Sequence, residues 1–499
     1  MNLIPDNIQE TGNYYCTWAT QARVRPADIE DTPIGVRDNM CEEVLFGERG
    51  ILSDYMKEIR SDLNVLLDDG WDVPFGTSNP ENTGKFGSLE LDEGRFPSFT
   101  GTPTERLKKL ADRIKMLGYR GVGLWIACQR PFSPGDPVES AEAASPYWEN
   151  AAKMSREAGI SYWKVDWGRM AGSADYREMM TECVRKYAPG LMIEHYPSGM
   201  YPPFGKYVCG EDRMNDGEID WNRRMIACSD YLRTYDVLGE FANSISLNRV
   251  GLLLECGLKK GESARGILNI EDSSYLGAGL GCAIGIMRHE RFEKGRERAD
   301  TGRYTETVRA VRWQRIAPPF AVGGDFNISD EILTDSHEFP KREPDVWPFV
   351  AGKTLSFKAP AAISRGCALP AAVGEVKPLL AASKNPLTGA YSIAALNRTA
   401  DGKVLHYFPA EVSAYVGEPC DIGIFGRYSK LTLDFDRPID SKRILMQDLC
   451  TDTARDLTAL VKREVGRLTI PGELIDSICE GNLRPADDSA PGLILRITD

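Results

Sequence analysis

The sequence predicts a (β/α)8 TIM barrel over residues 1–340 followed by a C-terminal antiparallel β-sandwich over residues 341–499. Three observations predict it. Short apolar runs alternate with amphipathic stretches of helical length through the first two-thirds of the chain, and alternation repeated about eight times favours a closed parallel barrel over an open sheet. Polar and aromatic residues gather just past the ends of those runs. After about Asp325 the pattern changes to short strands separated by turn residues, with no run of ordinary helix length except a candidate at Leu457 to Val465.

The expected barrel strands are Tyr14 to Thr17, Asn64 to Leu67, Gly121 to Ile126, Ser161 to Val165, Leu191 to Ile193, Tyr231 to Arg233, Gly266 to Ile270 and Ala317 to Val322. Helices fall between them. Thr104 to Leu117 follows Thr102-Pro103-Thr104-Glu105, a cap with proline at the first turn, and stops at Gly118. Ser145 to Ala158 stops at Gly159, and Tyr176 to Tyr187 stops near Pro189-Gly190. Thr334 to Pro348, charged and proline-bearing, reads as a linker. Beyond it, Tyr391 to Leu396, Lys430 to Phe435, Arg443 to Met446 and Gly492 to Ile497 read as strands.

Bulk properties narrow the function. The chain has 499 residues, 42% hydrophobic and 27% charged, with a formal net charge of −13, enough for a large buried core. An acidic surface repels phosphate backbones, so nucleic acid is not an expected partner. No apolar run approaches the ~20 residues of a membrane helix. Met1-Asn2-Leu3-Ile4-Pro5-Asp6 lacks the basic start and apolar stretch of a signal peptide, so the expected location is cytoplasmic. The 12 cysteines show neither a CxxC pair nor a metal-ligand spacing, and read as reduced thiols. With 4 histidines and no Gly-rich phosphate loop, neither a metal nor an organic cofactor is expected. Self-association is left open.

In a barrel of this kind catalytic groups sit past the carboxyl ends of strands. There the sequence places Asp68 and Asp69, Lys164 and Asp166, Glu194 and His195, Arg233 and Asp236, and Glu271-Asp272, flanked by Trp18, Trp125, Trp163, Trp167, Tyr196 and Tyr235. Carboxylates accept bonds from sugar hydroxyls, and aromatic faces stack on their C–H patches. A retaining glycosidase needs two carboxyl groups about 5–5.5 Å apart. Lys164 shares a strand face with Asp166 and would keep it ionised. Each residue also has a plainer reading. A strand-end Asp caps a helix more often than it catalyses, Lys164 can be a structural ion-pair partner, and the tryptophans can be core.

At these residues the sequence resembles the α-galactosidase clan, glycoside hydrolase families 27 and 36. Leu66 to Trp71, Tyr162 to Asp166 and Ile193 to Pro197 resemble the clan's Asp-Asp-Cys/Gly-Trp, Lys-x-Asp and Cys-Glu-Trp-Pro elements. Leu232 to Val237 is similar to its acid/base motif, and Ala317 to Asp325 to its last strand. Ile393 to Arg398 is similar to a strand of the family's β-sandwich, and the early first strand brings the layout closer to family 27. The resemblance implies a retaining exo-glycosidase acting on an oligosaccharide or glycoside. Asp166 would be its nucleophile and Asp236 its acid/base. Asp68 and Asp69 would hold the 4-hydroxyl and the 6-hydroxyl side, and Lys164 the 3- and 4-hydroxyls. Glu194 and Arg233 would hold the 2-hydroxyl, with Trp18 and Trp125 walling the pocket.

The chain departs from the family at several motifs. Arg233 and Asp236 are three apart where the family has four, which leaves Asp230 as the alternative acid/base. The strand 7 motif is replaced by Asn269-Ile270-Glu271-Asp272, and the strand 1 motif is reduced to Cys16-Thr17-Trp18-Ala19. A β-L-arabinopyranosidase or a transglycosylase therefore stands beside the α-galactosidase reading. Outside it stand a sugar-binding protein on a decayed barrel and a barrel lyase or isomerase using Glu194 and His195.

Overall fold

The computed structural model describes residues 1–22, 24, 33–133, 135–196, 216–233, 244–247, 274–289, 303–321, 326–338, 352, 354–399, 406–484 and 487–499. Its first sheet contains β1 (Tyr14–Cys16), β2 (Asn64–Leu67), β3 (Gly121–Ile126), β4 (Tyr162–Val165), β5 (Met192–His195), β6 (Tyr231–Leu232), β7 (Ser244–Ser246) and β8 (Ile284–Ile286). The order is β6-β5-β4-β3-β2-β1-β8-β7. Every pairing is parallel except β7 with β8. The sheet curls on itself: the Tyr231 hydroxyl, on β6, accepts a 2.9 Å bond from the Gly12 amide just before β1.

Strand alternation divides the side chains between two faces. Val65, Leu67, Val122, Leu124, Ile126, Trp163, Val165 and Ile193 face outward into the core shared with the helices. Tyr14, Cys16, Leu66 and Tyr162 face inward, joined by Met192 and Tyr231. The inner layer mixes large and absent side chains. A Cβ on Gly123 would lie 2.7 Å from Leu66 and 3.1 Å from Tyr162, and one on Gly285 would meet the Tyr14 ring at 2.7 Å.

The helices follow their caps. Pro103–Met116 has the expected capping box of Thr102 and Glu105. Ala141–Ala158 ends at Gly159 in the left-handed region, φ 73°. It starts four residues before the expected Ser145, because Ser140 caps it and Pro146 is carried inside the helix instead of opening it. Ala174–Tyr187 is capped by Ser173.

Several expectations change. Gly266 to Ile270 lies outside the described residues. Ala317 to Ala321 is not a strand: it follows the helix Tyr304–Trp313, and Pro318-Pro319 has no N–H to give a ladder. The strand beside β1 is Ile284–Ile286. Overlapping the stretch expected as linker, Ile332–Glu338 pairs antiparallel with Thr354–Pro360. Phe326–Ile328 already pairs with Ala362–Arg365 in the second large sheet. The candidate helix Leu457 to Val465 is replaced by the hairpin strands Lys462–Glu464 and Arg467–Pro471, turning at Gly466 with φ 69°. Gly472–Cys479 is helical instead.

The C-terminal β-domain has an eight-stranded and a five-stranded sheet. Tyr391–Leu396, Tyr428–Phe435, Arg443–Asp448 and Gly492–Thr498 contain the expected runs. Ile393, Ile424 and Leu493 of one sheet share a core with Val412, Leu431 and Leu468 of the other, the arrangement of a sandwich. Its sheets are mixed rather than antiparallel: Tyr391–Leu396 runs parallel to Ile422–Gly426, and Ala410–Gly417 to Tyr428–Phe435. Buried Arg309 of the helix Tyr304–Trp313 grips Asp448 of this domain through two bonds of 2.8 Å. Among the described residues no helix is long and apolar enough to cross a membrane.

Candidate active site

The inner face builds the site in layers. Leu66, Gly123, Tyr162 and Met192 are in register across β2 to β5. Two residues further on, Trp125, Lys164, Glu194 and Tyr231 are in register across β3 to β6. Above them, just past the strand ends, stand Asp68, Asp166 and Arg233. The floor is aromatic: Tyr162 of the lower layer meets Tyr14 edge-on at 5.5 Å and stacks on Tyr231 of the next layer at 6.0 Å.

Asp166 is the hub. Its Oδ2 accepts from Arg233 Nη2 at 2.6 Å and from Trp125 Nε1 at 3.0 Å, and lies 3.8 Å from Lys164 Nζ. Its Oδ1 accepts no hydrogen bond among the described residues. The backbone beneath is pinned as well, since buried Arg177 donates to the carbonyls of Val165 and Asp166 at 3.1 and 2.8 Å.

Lys164 Nζ also donates to Asp68 Oδ2 at 2.5 Å, and the Cys16 thiol donates to the same oxygen at 3.0 Å. Burial pushes the Asp68 carboxyl up, but Lys164 and the Cys16 thiol outweigh it and hold it below the usual range. Burial and the Asp68 charge push the Cys16 thiol well above its ordinary value. Asp69 turns to Arg37, whose Nε donates to its Oδ2 at 2.9 Å. Burial raises Asp69 to about 7 against the pull of Arg37, with Asp68 and Asp166 adding to the rise.

Glu194 is fully buried, and burial raises its carboxyl despite Arg233 and Lys164. Tyr162 donates to its Oε2 at 2.6 Å. Its Oε1 lies 3.3 Å from Arg233 Nε, an ion-pair contact without hydrogen-bond alignment. One edge of the Arg233 guanidinium thus faces two carboxylates, and its plane lies 4.1 Å from the Tyr196 ring centroid.

Of the residues expected in the site, Asp68, Asp69, Lys164, Asp166, Glu194, Arg233 and Trp125 come together. Trp18 opens the short helix Trp18–Gln21 and packs, half-buried, on the inner cluster. Asp236, Glu271 and Asp272 lie outside the described residues. Asp230 does not join the site: it has the outward parity of Leu232, accepts from the Ile193 amide at 2.8 Å and pairs with Arg185 of the helix Ala174–Tyr187 at 2.8 Å. His195 also faces outward, between Thr181 at 2.9 Å and Arg177 at 3.3 Å, and burial holds its ring far below the usual value and neutral. A reaction using His195 beside Glu194 has no geometry here. Among the described residues no group of three or more His, Cys, Asp or Glu could hold a metal.

Four participants were not singled out in the sequence. Tyr162 was legible, since it precedes Lys164 and Asp166 by the two-residue spacing of one strand face. Arg37, Arg177 and the Cys16 thiol carry no local signal.

No family model and no curated protein matches the sequence. Among solved structures the chain is similar to a family 27 β-L-arabinopyranosidase from Geobacillus stearothermophilus, at 11% identity over 98% of this chain and 96% of that chain, TM-score 0.38. It is similar to α-galactosidase I from Mortierella vinacea, at 12% identity over 98% and 96%, TM-score 0.37. It is similar also to an α-galactosidase from Saccharomyces cerevisiae, at 9% identity over 97% and 97%, TM-score 0.39.

Proposed function

We propose that the protein is a retaining exo-glycosidase of the α-galactosidase type, releasing a terminal galactose-configured sugar from an oligosaccharide or glycoside. The observation that carries this reading is the Asp166 carboxylate. One oxygen is held by Arg233 and Trp125, and the other is left without a partner among the described residues. A nucleophilic carboxylate needs that asymmetry: one oxygen fixed by donors, one presented to the anomeric carbon.

In the first step Asp166 Oδ1 forms a bond to the anomeric carbon as the bond to the leaving oxygen breaks, and Asp236 gives that oxygen its proton. In the second step Asp236 takes a proton from water, whose oxygen displaces Asp166 and restores the anomeric configuration. Asp68, Asp69 and Lys164 receive the 3-, 4- and 6-hydroxyl side, and Glu194 and Arg233 the 2-hydroxyl. Trp18 and Trp125 wall the ring. No metal or organic cofactor takes part in this chemistry. A β-L-arabinopyranoside differs at the edge facing Asp69, and a sugar acceptor in place of water would make the enzyme a transglycosylase.

The test is turnover of p-nitrophenyl glycosides of galactose configuration, α-galactoside and β-L-arabinopyranoside among them, with products analysed with and without an acceptor sugar. Asp166→Gly should abolish turnover and regain it with azide, giving the glycosyl azide of inverted configuration. If no member of the panel is cleaved and Asp166→Ala binds sugar as wild type does, the protein is a sugar-binding module.

A further inference from the structure

Arg37 sits in the helix Pro33–Asp38, far from the strand-end motifs in sequence. Its side chain is 8% exposed and that of its partner Asp69 is 3% exposed. The guanidinium carbon lies 5.7 Å from the ring centroid of Trp167, the residue after Asp166. The guanidinium therefore stands between the end of β2 and the residue that follows the candidate nucleophile.

Only Nε of this group is engaged. The two terminal nitrogens donate to no group among the described residues, and neither is sealed from solvent. Asp69 Oδ1 is sealed and accepts no hydrogen bond there. Donors that reach solvent from a side chain only 8% exposed can trade their water for a ligand, and the planar guanidinium matches a carboxylate or sulfate. The neighbouring cations are already committed. Lys164 lies against Asp68 and Asp166, and Arg233 against Asp166 and Glu194. The carboxylates around them would repel an anion placed elsewhere in the pocket. The Asp69 carboxyl, which burial raises to about 7, keeps a proton over part of the neutral range and so opposes an anion less than Asp68 does.

We infer that Arg37 makes this pocket selective for a galactose-configured ring bearing an anionic group, a carboxylate or a sulfate ester, on the edge that faces Asp69. The inference rests on the glycosidase reading and adds the charge of the substrate to it.

The test compares three substrates with the full chain: p-nitrophenyl α-D-galactopyranosiduronic acid, the 6-sulfated p-nitrophenyl α-D-galactopyranoside and the neutral α-galactoside. Wild type should prefer one anionic substrate by about 10-fold or more in kcat/KM, and the preferred one tells carboxylate from sulfate. In Arg37→Gln the anionic-to-neutral ratio should fall about 10- to 100-fold. Arg37→Lys should recover part of it, keeping the charge but losing the fork. A wild-type enzyme that cleaves the neutral galactoside as well as the anionic ones overturns the inference, as does an Arg37→Gln ratio within about threefold of wild type. If no glycoside of either charge is cleaved, the glycosidase reading fails by itself. Calorimetry of wild type with free D-galacturonate, galactose 6-sulfate and galactose then decides the anionic site, as it does if Arg37→Gln does not fold. Neither anionic sugar binding more tightly than galactose overturns it.

Discussion

Arg233 Nη2 lies 2.6 Å from Asp166 Oδ2, although the two residues follow strands β6 and β4, with β5 between them. Only a curled sheet brings those two strand ends together. The contact fixes one oxygen of Asp166 through a buried, charge-assisted bond. Arg233→Lys keeps a charge but loses the edge that faces both Asp166 and Glu194. Its kcat/KM should fall by about 10- to 100-fold in steady-state assays. A loss under about threefold would remove Arg233 from the site's working parts.

Trp125 supplies the second donor to the same oxygen. Trp125→Phe keeps an aromatic ring beside Phe86 and Trp167 while deleting the N–H. The expected result is a fall in kcat of about 10-fold with the thermal midpoint nearly unmoved. A lower midpoint with unchanged kcat would make Trp125 a packing residue.

Tyr162 should act on Glu194 from the floor of the site. Tyr162→Phe leaves the stack on Tyr231 in place but strips the donor from a fully buried carboxylate oxygen. Leaving such a group unsatisfied costs about 1–3 kcal/mol, which denaturant unfolding would read directly. If Glu194 holds the sugar, KM should rise more than kcat falls. Equal stability and kinetics in the variant would count against the contact.

The buried carboxyls Asp69 and Asp72, both raised to about 7 by burial, predict a pH dependence of stability. In the unfolded chain they lose their protons near pH 4, whereas the folded protein keeps them. The unfolded chain thus binds fewer protons between about pH 4 and 7. Their contribution is fully present below that window and is lost as pH rises through it. Stability should therefore fall as pH rises across that window. Urea unfolding from pH 5 to 8 would show the slope, and Asp72→Asn should reduce it. A flat or rising wild-type profile would contradict the prediction.

Much of the site was legible because strand alternation and helix caps are local rules. The two-residue spacing of Lys164 and Asp166 places both on one face, and the Thr102–Glu105 box starts its helix where expected. The three-residue spacing of Arg233 and Asp236 left Asp230 as the alternative acid/base, whereas strand alternation gives it the outward parity of Leu232, where it braces a helix through Arg185. The last barrel strand was misplaced because Ala317 to Phe320 carries the motif that resembles one, whereas Ile284–Ile286 is a short apolar run with no motif at all.

By itself the sequence determined which residues share a face: Trp125 on β3, Tyr162, Lys164 and Asp166 on and just past β4, Glu194 on β5. Backbone geometry settles that within a few residues of chain. Tertiary structure alone decided who meets whom. It brought Arg233 to Asp166 across an intervening strand, the Cys16 thiol to Asp68, and Arg37 to Asp69 from a separate helix. Those meetings depend on strand order, curvature and burial, which arise from the long-range pairing of the whole chain and leave no trace in the spacing of any one segment.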